Sequence, residues 1–236
     1  MKWFYTSLLI ASLSFGQEER LSVLQSRSNG SNLVTLQELQ HVVPKAAQAE
    51  FAKWKTADSK GRMDQAIGHL YRAIAIDPEF VAARNNLAIH LMKTDPKRAI
   101  VEFEEAIKVD PHHSILWGNL AVGYAVQDQF PEAERTARMA ASLDRASLRP
   151  QVLLGIALVE QHKYTPEALA CLERARQEYP LASLYAAKIF KAYGELEKAK
   201  SAVHAYLATG QQLHRDEAFR WLGRLSAAAT TGDKDR

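Results

Sequence analysis

The chain has a single cysteine among 236 residues, Cys171, so no intramolecular disulfide can form. Lying beside Leu172 in a predicted helix, that cysteine reads as a small buried hydrophobe rather than a reactive thiol. Charge of one sign is also scarce. Lys+Arg 30 against Asp+Glu 27 leaves a formal +3, far from the polyelectrolyte balance of a nucleic-acid binder. No apolar run reaches the roughly 20 residues that a membrane helix needs. Catalytic signatures are missing: there is no glycine-rich phosphate loop, no G-x-S-x-G elbow and no H-E-x-x-H. None of the eight histidines forms an H-x3-H pair, and His112-His113 falls in a predicted loop, where adjacent side chains point apart. Glu102, Glu104 and Glu105 read as a solvated helix face, through i,i+4 pairs Arg98–Glu102 and Glu104–Lys108. The expectation is a protein without catalytic residues, cofactor or metal.

What the chain does have is 47% hydrophobic residues, ample for a core, arranged at helical spacing. The clearest stretch is Ser114 to Asp144. Trp117, Leu120, Ala121 and Tyr124 recur at i, i+3, i+4 and i+7 and share one helical face. Gln127, Asp128 and Gln129 then form a polar turn, and Ala133, Ala137 and Ala140 mark a second face. Small residues let two helices approach closely, while Trp117, Leu120 and Tyr124 fill the remaining space.

This unit recurs. Asp77-Pro78, Asp110-Pro111 and Tyr179-Pro180 each end a second helix, with 33 residues from Pro78 to Pro111 and 69 from Pro111 to Pro180. Proline cannot continue a helix and disfavours helical geometry in the residue before it. Second-helix faces are Ala66, Leu70 and Ala73, then Ala99, Phe103 and Ala106, then Ala168, Leu172 and Ala175, and more loosely Ala199, Val203 and Tyr206. First-helix faces are Leu87, Ala88 and Leu91, then Leu154, Gly155 and Leu158, then Ala186, Ala187 and Phe190. The pattern resembles the tetratricopeptide repeat (TPR), a helix–turn–helix unit of about 34 residues. Ala121 stands where that motif has glycine, Ala137 where it has Phe, and Arg145 where it has proline. The first repeat departs further, with Lys53 at the leucine position and Trp54 at a small-residue position.

The resemblance implies an all-α, right-handed solenoid of five repeats, at about 45–80, 81–113, 114–147, 148–180 and 181–213. A capping helix follows over 214–229, carrying the apolar stripe Ala218, Phe219, Leu222 and Leu225, and then a tail over 230–236. Ahead of the repeats, Lys2, the apolar run Trp3 to Phe15 and the small residues Ser14 and Gly16 read as a signal peptide over 1–16, and hence as export to a periplasmic or secreted space. No membrane span is expected after cleavage. Residues 17–43 read as a linker, with a short helix over Leu33 to Val43 opened by a capping box at Thr35-Leu36-Gln37-Glu38.

Two functional classes fit. The first is a non-catalytic scaffold binding a peptide or partner protein, which is what the resemblance implies. The second is an envelope enzyme or accessory subunit with an unrecognised site. In TPR proteins the first helices line the concave face. Carried over by register, that face here has Phe51 and Lys55; Asn85, Ile89 and Met92; Ile115, Gly118, Val122 and Val126; Val152, Ile156 and Val159; and Leu184 and Lys188. These are mostly aliphatic, so the expected ligand is an apolar segment such as an amphipathic helix. Leu33 to Val43 is itself a candidate, within one chain or between two self-associating copies.

Overall fold

The computed structural model describes residues 41–211 and 214–232, with side chains to 226. Eleven helices and no strand occur among the described residues. They are α1 Lys45–Ser59, α2 Met63–Ile76, α3 Val81–Leu91, α4 Pro96–Val109, α5 Ser114–Val126, α6 Phe130–Leu143, α7 Leu148–Glu160, α8 Pro166–Ala175, α9 Leu181–Ala192, α10 Leu196–Ala208 and α11 Arg215–Gly232. The chain divides into two compact units between Gln129 and Phe130. In the first, α1 packs along α2, α3 along α4, and α5 against α4. In the second, α7 packs on α6 and α8, α9 on α10, and α11 closes on α10. The sequence features at 1–16 and 17–40 lie outside the described residues. Of the helix expected over Leu33 to Val43, only His41, Val42 and Val43 are described, and they are not helical.

The second helix of every pair has one construction. Ala66, Leu70, Ala73, Ala99, Phe103, Ala106, Ala137, Ala140, Ala168, Leu172, Ala175, Ala199 and Val203 are all 0% exposed, with Ala133 and Tyr206 close behind. In α2, α4 and α8 alanine at i and i+7 flanks a larger residue; α6 has alanine at all three places, and α10 has Ala199, Val203 and Tyr206. Each makes a narrow stripe that a neighbouring helix can approach closely. Two of these helices start on a side-chain cap followed by proline. Asp95 accepts from Arg98 N–H ahead of Pro96, and Thr165 accepts from Ala168 N–H ahead of Pro166.

The loops between repeats share a device invisible in the composition. Arg84 Nε donates to the Pro78 carbonyl (2.7 Å), Trp117 Nε1 to the Pro111 carbonyl (2.8 Å), and Gln151 Nε2 to the Arg145 carbonyl (3.2 Å). Each reaches back six residues from the first turn of a first helix and pins the preceding loop. Arg145 replaces the expected proline, and there Asp144 does the turning. Its Oδ1 accepts from Ala146 and Ser147 N–H, both at 3.1 Å. Four of the five turns inside repeats use a left-handed residue after the first helix: Gly61, Asp128, His162 and Gly194 have positive φ, and the shorter turn after α3 has none.

Trp54, the misfit of the first repeat, is 6% exposed. Its indole donates to His90 Nε2 on α3 (3.1 Å), and its ring meets Phe51 at 4.6 Å. Phe51 in turn meets Phe80 at 4.9 Å. An aromatic cluster thus joins α1 to the start and the last turn of α3.

Candidate binding surface

The residues assigned by register to a concave face divide sharply. In the first unit Ile115 is 40% exposed, and Asn85 and Ile89 are partly exposed. Met92, Gly118, Val122 and Val126 are buried. In the second unit Val152, Ile156, Val159 and Leu184 are buried, and Lys188 is partly exposed. Lys188 is also engaged: its Nζ lies 2.8 Å from Glu160 and 4.4 Å from the Tyr185 ring centroid. The continuous aliphatic strip expected for an apolar ligand is therefore corrected. Eight of those fourteen residues are buried, and six, with Phe51 and Lys55 among them, are accessible. The reason lies in α5 and α7, which are apolar on every face. In α5, Leu116, Gly118 to Gly123, Ala125 and Val126 are buried, and in α7 every residue from Val152 to Val159 is. A helix apolar all round is buried all round.

Polar groups missed by the periodicity argument appear instead. Asn119 on α5 is 4% exposed and donates from Nδ2 to Asn85 Oδ1 on α3 (2.8 Å), tying two first helices together. Ile115 precedes Asn119 by one turn and Ile89 follows Asn85 by one turn, so the accessible part of the first unit is a mixed amide and isoleucine surface. The only signal for it in the sequence was two asparagines near one repeat spacing.

The acidic trio of α4 also differs from expectation. Glu102 is 8% exposed and pairs with Arg84 (2.6 Å), not with Arg98. Glu104 accepts from the Tyr124 hydroxyl (2.6 Å), and Lys108 pairs with Glu105 (2.6 Å). Arg98 lies over the Tyr71 ring at 5.2 Å. Glu102 and Glu104 tie α4 to α3 and α5, while the Glu105 pair stays within α4. The i,i+4 spacing pointed to solvent because it carries no information about neighbouring helices.

Two further charged networks hold helices. Glu50 on α1 receives Lys53 (2.6 Å), His69 (2.8 Å) and Arg72 (2.8 Å). Hydrogen bonds from Lys53 above all, then Arg72 and His69, hold its carboxyl at about 2. In the second unit Glu134 accepts from Lys163 (2.8 Å) and Gln161 (2.9 Å) and from Arg138, which also holds Glu167 (2.8 Å). Burial opposes ionisation of Glu134, but these hydrogen bonds outweigh it and keep the carboxyl below its usual range. Burial pushes the Cys171 thiol up, away from thiolate character. No helix among the described residues is long and apolar enough to cross a membrane.

No protein-family model matches the sequence, and no curated protein matches it. Solved structures do match in fold. A MamA protein aligns with a TM-score of 0.62 at 17% identity, over 70% of this chain and 91% of that one. PilF of Pseudomonas aeruginosa aligns with a TM-score of 0.64 at 22% identity, over 80% and 86%. YrrB, described as a TPR protein with an unusual peptide-binding site, aligns with a TM-score of 0.56 at 22% identity, over 68% and 84%. This chain has the tetratricopeptide-repeat fold. Within that fold, Ala121 and Gly155 occupy the small-residue position of the first helix. Gly155 shows why it is small: a Cβ there would lie 2.7 Å from Leu172 Cγ.

Proposed function

We propose that this TPR chain is a non-catalytic scaffold that binds a peptide or partner protein on the first helices of its first unit, and that it acts outside the cytoplasm after loss of residues 1–16. The observation that carries the binding reading is the accessible Asn85, Ile89 and Ile115 surface, braced by the Asn119–Asn85 hydrogen bond. Primary amides recognise an extended main chain through paired donors and acceptors, and the isoleucines add apolar contact. The peptide-binding site described for YrrB, which shares the fold, supports the same class of ligand. Export rests on Lys2, the apolar run and the small residues Ser14 and Gly16.

A photo-crosslinking residue in place of Ile115, introduced in the native cell, tests the binding reading. One recurrent protein adduct is expected, lost when Asn85 is also changed to Asp. Adducts that persist unchanged in the Asn85→Asp protein would place the partner elsewhere. Val122→Glu serves as contrast: a charge at a 2% exposed position should destabilise the fold by several kcal/mol rather than select against a ligand. For export, mass spectrometry of the native protein should find Gln17 at the N-terminus, and intact Met1 on cytosolic protein would rule the location out.

A further inference from the structure

Trp54 and Asp58 stand one turn apart on α1, and both reach the same nitrogen of α3. Trp54 Nε1 lies 3.1 Å from His90 Nε2, and Asp58 Oδ1 lies 3.5 Å from that atom. The two neighbours require opposite things of it. An indole N–H is a donor only, so it needs Nε2 as an acceptor. A carboxylate is an acceptor only, so it needs Nε2 as a donor. One nitrogen cannot meet both demands at once. With the ring neutral and its proton on Nδ1, Nε2 accepts from Trp54, and the shorter of the two distances belongs to that state. With a second proton, Nε2–H meets the indole N–H donor to donor and is drawn to Asp58 instead.

The surroundings make the proton decisive. The His90 side chain is 7% exposed and that of Asp58 20%, so little water is at hand to replace either partner. Burial disfavours the cation more than Asp58 favours it, which keeps the ring neutral, and Trp54 bound, at neutral pH. Other charges nearby are committed elsewhere or open to solvent. On α2, His69 and Arg72 go to Glu50. On α4, Arg98 lies over Tyr71, Glu102 takes Arg84, and Glu104 takes the Tyr124 hydroxyl. In the turn after α3, Lys93 is exposed and Asp95 caps α4. Among the described residues, Asp58 is the charged group that acts on the ring.

We propose that the α1–α3 junction is a proton-operated switch, in which His90 accepts from Trp54 when neutral and donates to Asp58 when protonated. The exchange moves the tie on α1 by one turn, from Trp54 to the C-terminal turn. Trp54 meets Phe51 at 4.6 Å and Phe51 meets Phe80 at 4.9 Å, so acid unpins this aromatic cluster from the end of α3. An ion pair meanwhile keeps α1 attached, which gives the junction two arrangements rather than one bound and one broken. The switch lies beside Ile89 in the sequence, but it rests on no ligand and stands or falls apart from the binding surface.

The test follows the full chain by nitrogen-15 NMR from pH 8 to pH 4, reading the Trp54 indole N–H and the His90 ring nitrogens together. One shared step is expected. Above it Nε2 carries no proton; below it Nε2 is protonated and the indole resonance moves upfield as its hydrogen bond is lost, with helicity unchanged. Asp58→Asn removes the charge that favours the cation, so the step should move to lower pH. His90→Gln keeps an acceptor for Trp54 and loses the proton, so the indole step should vanish. The proposal is overturned if the indole stays still while His90 titrates, or if His90 takes up no proton by pH 4. It is equally overturned by a step that coincides with loss of helicity, that persists in His90→Gln, or that keeps its midpoint in Asp58→Asn.

Discussion

Gly155 shows how one atom sets the distance between two helices. Its missing Cβ would sit 2.7 Å from Leu172 Cγ, 2.9 Å from Cδ2 and 3.3 Å from the Ala168 carbonyl oxygen. Leu172 is fully buried and cannot swing away, and the third contact is backbone. Gly155→Ala should therefore cost about 1–3 kcal/mol by overpacking, despite alanine's better helix propensity, read as a lower denaturation midpoint. His90 offers a second residue-scale test. Desolvation lowers its pKa below 6.5, against the opposing pull of Asp58. Above about pH 6.5 it is neutral in both states. As pH falls, the unfolded chain takes up the proton first, so stability declines until the folded-state pKa is passed and then levels. Glu50, held at about 2, acts in a lower window: its contribution is full above 4.5 and is lost as pH falls toward 2. Chemical denaturation between pH 7 and 5 should show the decline in the wild type and a shallower one in His90→Gln, whose amide can still accept from Trp54.

At the scale of the element, α4 and α8 start by the same device, an oxygen cap followed by proline at the first helical position. The cap satisfies an N–H that the helix cannot, and proline removes another that would have no partner. Asp95→Ala and Thr165→Ala should each lower stability by about 1 kcal/mol, while Asp95→Asn should be nearly neutral. Equilibrium denaturation separates these outcomes. The loop clamps at Arg84, Trp117 and Gln151 make the complementary point. Three unlike side chains do one job because only a donor of sufficient reach is required there.

At the scale of the molecule, α11 packs on the apolar face of α10: Ala218 and Leu225 are 1% exposed and share a cluster with Leu184, Ala187, Val203 and Tyr206. Trp221 and Leu222 pack against its margin. A chain ended before Arg215 would expose Val203 and Tyr206 to water. Calorimetry should find a lower melting temperature, and light scattering should find concentration-dependent association. An unchanged melting profile would show that α11 is an appendage rather than a cap.

What the sequence determined by itself is the all-helical fold class and the buried stripes of the second helices. Ala66-Leu70-Ala73 and its later counterparts are local patterns, set by 3.6-residue periodicity and by prolines that no helix interior tolerates. The first helices were legible only in part. Leu116 to Val126, interrupted only by Asn119, and Val152 to Val159 are nearly continuous apolar runs and mostly buried, yet register alone placed three residues of each on an open face. Tertiary structure decided the rest, because it alone brings distant residues together. Glu102 turned from Arg98 to Arg84, Trp54 found His90, and Asn119 found Asn85 across 34 residues. Lys53, at the leucine position of the motif, turned to Glu50. Periodicity reports which face of a helix is apolar; what packs against that face depends on the neighbour, and the neighbour is a property of the fold.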